Sequence, residues 1–331
     1  MRCAWYERKG PAGDVLQVGE QPAPHPGPGE VLVAVRASGI NPSDTKGRSG
    51  ARGNTAMPYP LIIPHQDGAG IVEAVGEGVP ESRVGERVWL YEAQLGRPFG
   101  TAAQYVALPA RNAVPMPEGL GFVEAAALGV PALTAHRCVF ADGPVAGKTV
   151  LVTGGAGAVG FYAIQFARQG GARVVATVSG DAQAELARSA GAEFVIDRHA
   201  GNVVAEAAAL LGAEGERSVD RIVEVAFGAN LTASLRMLKP NGTIAAYVGR
   251  GAGAGPALLA ARLPGCDCTL RARIRDDPRS ARRGDRLRRP RRLGGWLRHN
   301  VGAVLPLDRI AEAHDLVEHG PARGKIVVEI G

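Results

Sequence analysis

Two hydrophobic textures follow one another along the chain. In the first third, apolar residues come in short alternating runs. Val31–Ala37, Gly70–Gly76, Arg87–Leu90 and Gln104–Leu108 each predict a strand, and Gly and Pro recur between them as turns. After Pro117 the period lengthens. Glu124–Cys138 and Gly160–Gln169 predict helices. Val150–Thr153, Arg173–Thr177, Phe194–Ile196, Arg221–Val225 and Gly242–Val248 are mostly apolar, β-branched segments that predict buried parallel strands. Strand alternating with helix predicts a doubly wound α/β sheet. From Gly251 to Gly295 neither texture holds. After Leu297 the pattern recovers, with Val304–Leu307, a helix over Asp308–Glu318 and a closing strand at Lys325–Ile330.

A length of 331 residues suits two domains. Mean hydropathy is −0.01, and no run of about 18 apolar residues predicts a membrane span. The first seven residues lack the apolar run of a signal peptide. Four cysteines (Cys3, Cys138, Cys266 and Cys268) are too few for a disulfide scaffold, so a reducing cytoplasm is expected. The net charge of +6 would suggest an acidic partner, but its distribution removes that reading. Arg250–Arg298 holds fourteen Arg, no Lys and four Asp, a net +10, which leaves −4 for the rest of the chain.

Thr149–Thr153 runs into Gly154-Gly155-Ala156-Gly157-Ala158-Val159-Gly160, ahead of an amphipathic helix. Gly155, Gly157 and Gly160 make the pattern G-x-G-x-x-G between a strand and a helix, with a second strand following. That context predicts a dinucleotide site with its pyrophosphate on the helix N-terminus. NAD sites place Asp or Glu at the tip of the second strand to hold the ribose 2′-hydroxyl. Here the tip reads Thr177-Val178-Ser179-Gly180-Asp181, and Asp181 reads as the N-cap of the next helix. A strand tip without a carboxylate favours NADP over NAD.

Five motifs occur in a fixed order: Ala37–Thr45 (ASGINPSDT), Pro64–Val72 (PHQDGAGIV), Gly100–Val106 (GTAAQYV), Ala125–Ala135 (AAALGVPALTA) and the glycine loop. Together they resemble the medium-chain dehydrogenase/reductase superfamily, and within it the zinc-independent quinone oxidoreductases of the zeta-crystallin type. The resemblance covers residues 1–250 and 298–331. It implies a GroES-like β-rich substrate domain over 1–122, completed by 298–331, and a Rossmann domain over 123–260, with the last strand returning to the first domain. It also implies NADPH-dependent hydride transfer to a quinone or another activated carbonyl or alkene. An enoyl-thioester reductase is the alternative with the same motifs.

The zinc alcohol dehydrogenases of the superfamily have Cys where Asn41 stands, His where Gln66 stands, and a four-cysteine lobe. Neither Asn41 nor Gln66 suits zinc, and no Cys lies between Cys3 and Cys138, so no metal is expected. His65 is one position off the ligand register and reads as a hydrogen-bonded structural histidine. The resemblance places Asn41 against the acceptor oxygen, with Asp44 ordering its loop, Tyr59 as a candidate pocket hydroxyl and Thr134 near the nicotinamide. It places Ser179, Gln183 and Arg198 around the 2′-phosphate, with Arg198 replacing a lost Lys. Ala226, Phe227, Val248 and Gly249 match strand ends that line the cofactor cleft.

The Arg-rich stretch 251–297 departs from the family. It reads as a basic patch, as a solvated insertion, or as coding text read out of frame and restored near Leu297. A non-catalytic nucleic-acid-binding role would draw on its charge, but Trp296 is the sole aromatic between Gly249 and Leu297, so base stacking is poorly supported. Relatives of this type dimerise through the strand just after Gly249. Thr269–Ile274 alternates well enough for that strand, but Arg271 and Arg273 would face their copies, so a weakened homodimer is expected.

Overall fold

The computed structural model describes residues 1–51, 56–213, 216–247, 269–272, 296–320 and 323–331. Two compact units divide the chain: Met1–Pro131 with Leu287–Gly331, and Ala132–Arg286.

The first unit opens on a two-stranded ribbon, β1 (Arg2–Trp5) with β2 (Gln17–Glu20), around a short helix α1 (Ala12–Val15). The long strand β3 (Glu30–Ile40) leads into helix α2 (Pro42–Ser49). Then come β4 (Asp67–Val75), β5 (Arg87–Leu90), β6 (Tyr105–Pro109), β7 (Ala113–Pro115) and helix α3 (Phe122–Ala126). Val31, Val33 and Val35 alternate inward from β3 and join Val72, Val88, Leu90, Val106 and Leu108 in one core. That core is completed from the far end of the chain, by Leu305, Ile310, Ile326 and Val328.

The second unit begins within helix α4 (Gly129–Phe140). It contains β8 (Thr149–Val152), α5 (Ala158–Gln169), β9 (Arg173–Val178), α6 (Asp181–Ser189), β10 (Phe194–Asp197), α7 (Val203–Leu211), β11 (Val219–Glu224), α8 (Phe227–Met237), β12 (Leu238–Ala246) and β13 (Thr269–Ala272). The strands pair in the order β10-β9-β8-β11-β12-β13, all parallel. This is the doubly wound order, whose crossover falls beside β8 where the glycine loop leaves the sheet.

The chain then returns to the first unit as β14 (Val301–Pro306), α9 (Ile310–His319) and β15 (Lys325–Glu329). β15 pairs antiparallel with β3, which places the closing strand in the sheet of the first unit. The sheet order there is β14-β15-β3-β4-β5-β7, with β6 also on β3.

Three local expectations are corrected. The helix predicted over Glu124–Cys138 is broken into α3 and α4, because Asp67 captures the Val130 N–H at 2.9 Å and Pro131 has no N–H to give. Asp181 is the first residue of α6 and not its N-cap; Gly180, at φ 105°, holds the cap position. The strand predicted from Gly242 already begins at Leu238. Val248 and Gly249 lie outside the described residues, as do 251–268 and 273–295.

Candidate active site

The glycine loop is fitted to a phosphate. A Cβ on Gly160 would sit 2.2 Å from the Gly154 carbonyl, and one on Gly155 would sit 2.9 Å from Ala176 Cβ. Both glycines let the first turn of α5 lie close on the strand ends. Gly154 takes φ 66° to make the turn, and Gly157 is the N-cap. The N–H groups of Ala158, Val159 and Gly160 occupy the first helical turn, where no intrahelical carbonyl is available. Ala156 is buried below them, and Gly157 is exposed at the mouth of the loop. A pyrophosphate fits this cradle, in which a side chain at Gly157 would project.

At the end of β9, three predicted residues meet. Arg198 Nε donates to Ser179 Oγ at 2.7 Å, and the Ser179 N–H donates to Gln183 Oε1 at 2.9 Å. Arg198 is exposed, and no described residue bonds its two terminal amino groups. A planar guanidinium with free N–H groups beside a hydroxyl suits a phosphate monoester. Ala226 caps α8, where its N–H donates to Glu224 Oε1 at 2.6 Å, and Phe227 is buried behind it. Thr134 is half-buried on α4.

In the first unit, strand register builds a buried polar centre. β15 pairs with β3 through Ile326↔Ile40, so Lys325 falls beside Asn41. β4 pairs with β3 through Asp67↔Gly39, which brings Asp67 to the same corner. Gly39 is required there, since a Cβ would lie 2.7 Å from Lys325 Cε and 2.2 Å from the Ala126 carbonyl. Lys325 Nζ donates to Asn41 Oδ1 at 2.6 Å and to Asp67 Oδ2 at 2.7 Å. Asn41 Nδ2 donates to the same Asp67 oxygen at 2.8 Å. Relative exposures are 3% for Asn41, 0% for Asp67 and 2% for Lys325. Burial of this pair is tolerable because the carboxylate accepts three hydrogen bonds in all.

Asn41 also caps α2 in a reciprocal box with Asp44, whose Oδ2 accepts the Asn41 N–H at 2.8 Å. The other Asp44 oxygen is buried and unpartnered. Burial pushes the Asp44 carboxyl up to about 7, helped by the nearby Asp67 charge and opposed by Lys325 and the Asn41 hydrogen bonds.

Tyr59 stands apart from this centre. Its hydroxyl donates to the Gly96 carbonyl at 2.7 Å, and its ring packs on Tyr6, Val15 and Ile62. Gln66 bonds the Gln94 N–H at 3.3 Å. Among the described residues, no three His, Cys, Asp or Glu side chains converge as a metal set. At Asn41, the ammonium of Lys325 stands where a cation would neutralise the acidic group. No described helix is long and apolar enough to cross a membrane.

Sequence reasoning missed Lys325, which lies 284 positions from its partner Asn41. The available signal was a Lys opening a strand whose centre, Ile326–Val328, is wholly apolar. It also missed the partners of His65, which are Ser38 and His314.

Comparison with known proteins agrees with this architecture. Residues 27–118 match the alcohol dehydrogenase GroES-like domain, and residues 158–270 match the zinc-binding dehydrogenase family. Mouse quinone oxidoreductase is 30% identical over 311 residues, covering 92% of this chain and 90% of that protein. Human quinone oxidoreductase is 30% identical over 314 residues, with the same coverage. An alcohol dehydrogenase superfamily protein from Novosphingobium aromaticivorans superposes with a TM-score of 0.84 at 29% identity, over 100% of both chains. A mycobacterial protein solved with NADPH gives a TM-score of 0.82 at 27% identity, over 99% of this chain and 100% of that one.

A GroES-like domain and a Rossmann domain in one chain define the medium-chain dehydrogenase/reductase class. Within that superfamily, the chain belongs to the quinone oxidoreductase family of the zeta-crystallin type.

Proposed function

We propose that this protein is an NADPH-dependent oxidoreductase that passes hydride to a quinone or another activated carbonyl or alkene, without zinc. The observation that carries the reading is the Asn41–Lys325–Asp67 centre. Asn41 uses one of its two amide N–H groups on Asp67, which leaves the other for an acceptor oxygen. Lys325 on Oδ1 draws electron density through the amide and strengthens that donor. An electrophilic acceptor needs a positioned hydrogen-bond donor of this kind, whereas oxidation of a simple alcohol gains from a Lewis acid. NADPH when bound supplies the hydride. The first turn of α5 holds its pyrophosphate, and Ser179, Gln183 and Arg198 meet its 2′-phosphate. In this reading Thr134 stands near the nicotinamide, and Tyr59 stays a candidate pocket hydroxyl away from the Asn41 centre, both on the strength of the family motifs alone.

Support for quinone comes from the mouse and human quinone oxidoreductases. Support for NADPH comes from the mycobacterial complex and from the strand tip without a carboxylate. The test is NADPH consumption with a quinone, an enone and a crotonyl thioester side by side. The quinone and enone are expected to turn over fastest. A thioester that outpaces both would overturn the acceptor assignment in favour of an enoyl-thioester reductase, and equal rates with NADH would overturn the cofactor assignment.

A further inference from the structure

A second polar chain runs through the core of the first unit, and neither the cofactor loop nor the acceptor contact uses it. Arg48, fully buried on α2, pairs with Glu318 on α9 at 2.7 Å and also bonds the Gly10 carbonyl. Its Nε donates to His314 Nδ1 at 3.3 Å. His314 Nε2 faces His65 Nε2 at 2.9 Å, with the two rings stacked at 5.1 Å. His65 Nδ1 meets Ser38 Oγ at 2.8 Å, Ser38 meets Thr101 Oγ1 at 2.7 Å, and Thr101 donates to the Asp67 carbonyl at 2.6 Å. His65, His314, Ser38 and Thr101 are all at 0% exposure.

The partners fix every proton in this chain. Arg48 can only donate, so His314 Nδ1 accepts and Nε2 carries the hydrogen. His65 Nε2 must then accept, so His65 Nδ1 carries its hydrogen and donates to Ser38. Ser38 donates to Thr101, and Thr101 donates to Asp67. All bonds point one way, and both imidazoles are neutral and of opposite tautomer. Burial, the neighbouring His314 and the Lys325 charge depress His65 well below the usual imidazole range, and burial and the Arg48 charge depress His314 to about 3.

The chain also explains a strained backbone. His65 is a non-glycine residue at φ 83°. Such a conformation persists only where the surroundings over-determine it. Both ring nitrogens are bonded, and the His65 carbonyl accepts the Thr101 N–H at 3.2 Å. Two residues on is Asp67, the acid that orients Asn41 and Lys325.

We propose that His65 and His314 are positioning residues for the reduction: their one-way chain fixes the Asp67 backbone, and so the direction in which Asp67 presents its carboxylate to Asn41 and Lys325. This rests on the reading of Asn41 as the acceptor contact.

Two measurements test it. Isotope-labelled imidazole nitrogens should report one buried ring with hydrogen on Nδ1 and one with hydrogen on Nε2, both neutral at neutral pH. Two rings of the same tautomer, or a charged ring, would overturn the chain. For kinetics, His314→Leu deletes both ring bonds, whereas His314→Gln keeps an acceptor for Arg48 and a donor for His65. In folded protein, His314→Leu should lower kcat by roughly tenfold or more with the KM for NADPH unchanged, since sub-ångström misplacement of a donor acts on the reacting step. His314→Gln should recover most of that loss, which a merely structural role would not require. An unchanged kcat in folded His314→Leu overturns the proposal. If Asn41→Ala loses activity and His314→Leu does not, this inference alone fails; if neither loses activity, the reading of Asn41 fails with it. Should His314→Leu not fold, His65→Gly serves instead, because glycine keeps the left-handed backbone.

Discussion

Lys325→Met removes the cation from a fully buried centre and leaves the acid behind. Lys325 Nζ makes two charge-assisted bonds, at 2.6 and 2.7 Å, to side chains at 3% and 0% exposure. Deleting one partner of a buried ion pair costs about 3–5 kcal/mol, because the survivor is an uncompensated buried charge. Asp67 would keep the Asn41 and Val130 N–H groups, at 2.8 and 2.9 Å, so the lower end applies. About 3 kcal/mol is the expected loss, and Asp67→Asn in the same chain should restore about 2 of it by discharging the orphaned acid. The assay is chemical denaturation of the wild type, both single variants and the double variant, followed on the transition of the first unit. Activity should fall in Lys325→Met as well, since Asn41 loses the cation that polarises it. A cost for Lys325→Met below about 1 kcal/mol, or strictly additive single changes, would refute the description of these residues as one coupled centre.

Further outcomes follow from the same geometry. Arg198→Ala should raise the KM for NADPH about tenfold and leave that for NADH nearly unchanged, as steady-state kinetics with both cofactors would read; this is the loss of one charge-assisted phosphate contact. Gly160→Ala should abolish dinucleotide binding in a titration, since its Cβ would meet the Gly154 carbonyl at 2.2 Å and force the loop apart. Stability should rise with pH between about 4 and 6.5. There the unfolded chain takes up protons that folded His314 (about 3), His299 (about 4) and His65 (well below 6.5) refuse. Asp44, raised to about 7, works in the opposite sense, losing stability as pH rises from about 4 to 7, but it is one group against three. Thermal melts that stay level or fall from about pH 5 to 6.5 would contradict that balance.

The sequence made the architecture legible wherever a residue type is forced by the backbone. Gly155 and Gly160 have no room for a side chain, and the inward alternation of Val31, Val33 and Val35 marks the core face of β3. The closing strand was readable because Ile326, Val327, Val328 and Ile330 give Lys325–Ile330 a β-prone apolar centre broken only by Glu329. Asn41 stood out through its place in a motif, and Ser179, Gln183 and Arg198 through theirs. What supports them was less visible. Lys325 reaches Asn41 only through the pairing of β15 with β3, a register no local pattern encodes. The His65 ring is satisfied by His314, which lies 249 positions away on α9. The break between α3 and α4 depends on Asp67, a residue more than sixty positions earlier. Local periodicity saw only a run of small apolar residues there and continued the helix.

The most direct test of hydride delivery to an activated acceptor without zinc is a single turnover. The protein loaded with NADPH is mixed with a quinone in the presence of a strong zinc chelator, using ordinary and deuterium-labelled cofactor. The account predicts quinone-dependent oxidation of NADPH that is slowed by the label and unaffected by the chelator. No quinone-dependent oxidation, or oxidation that disappears on chelation and returns with added zinc, would contradict it.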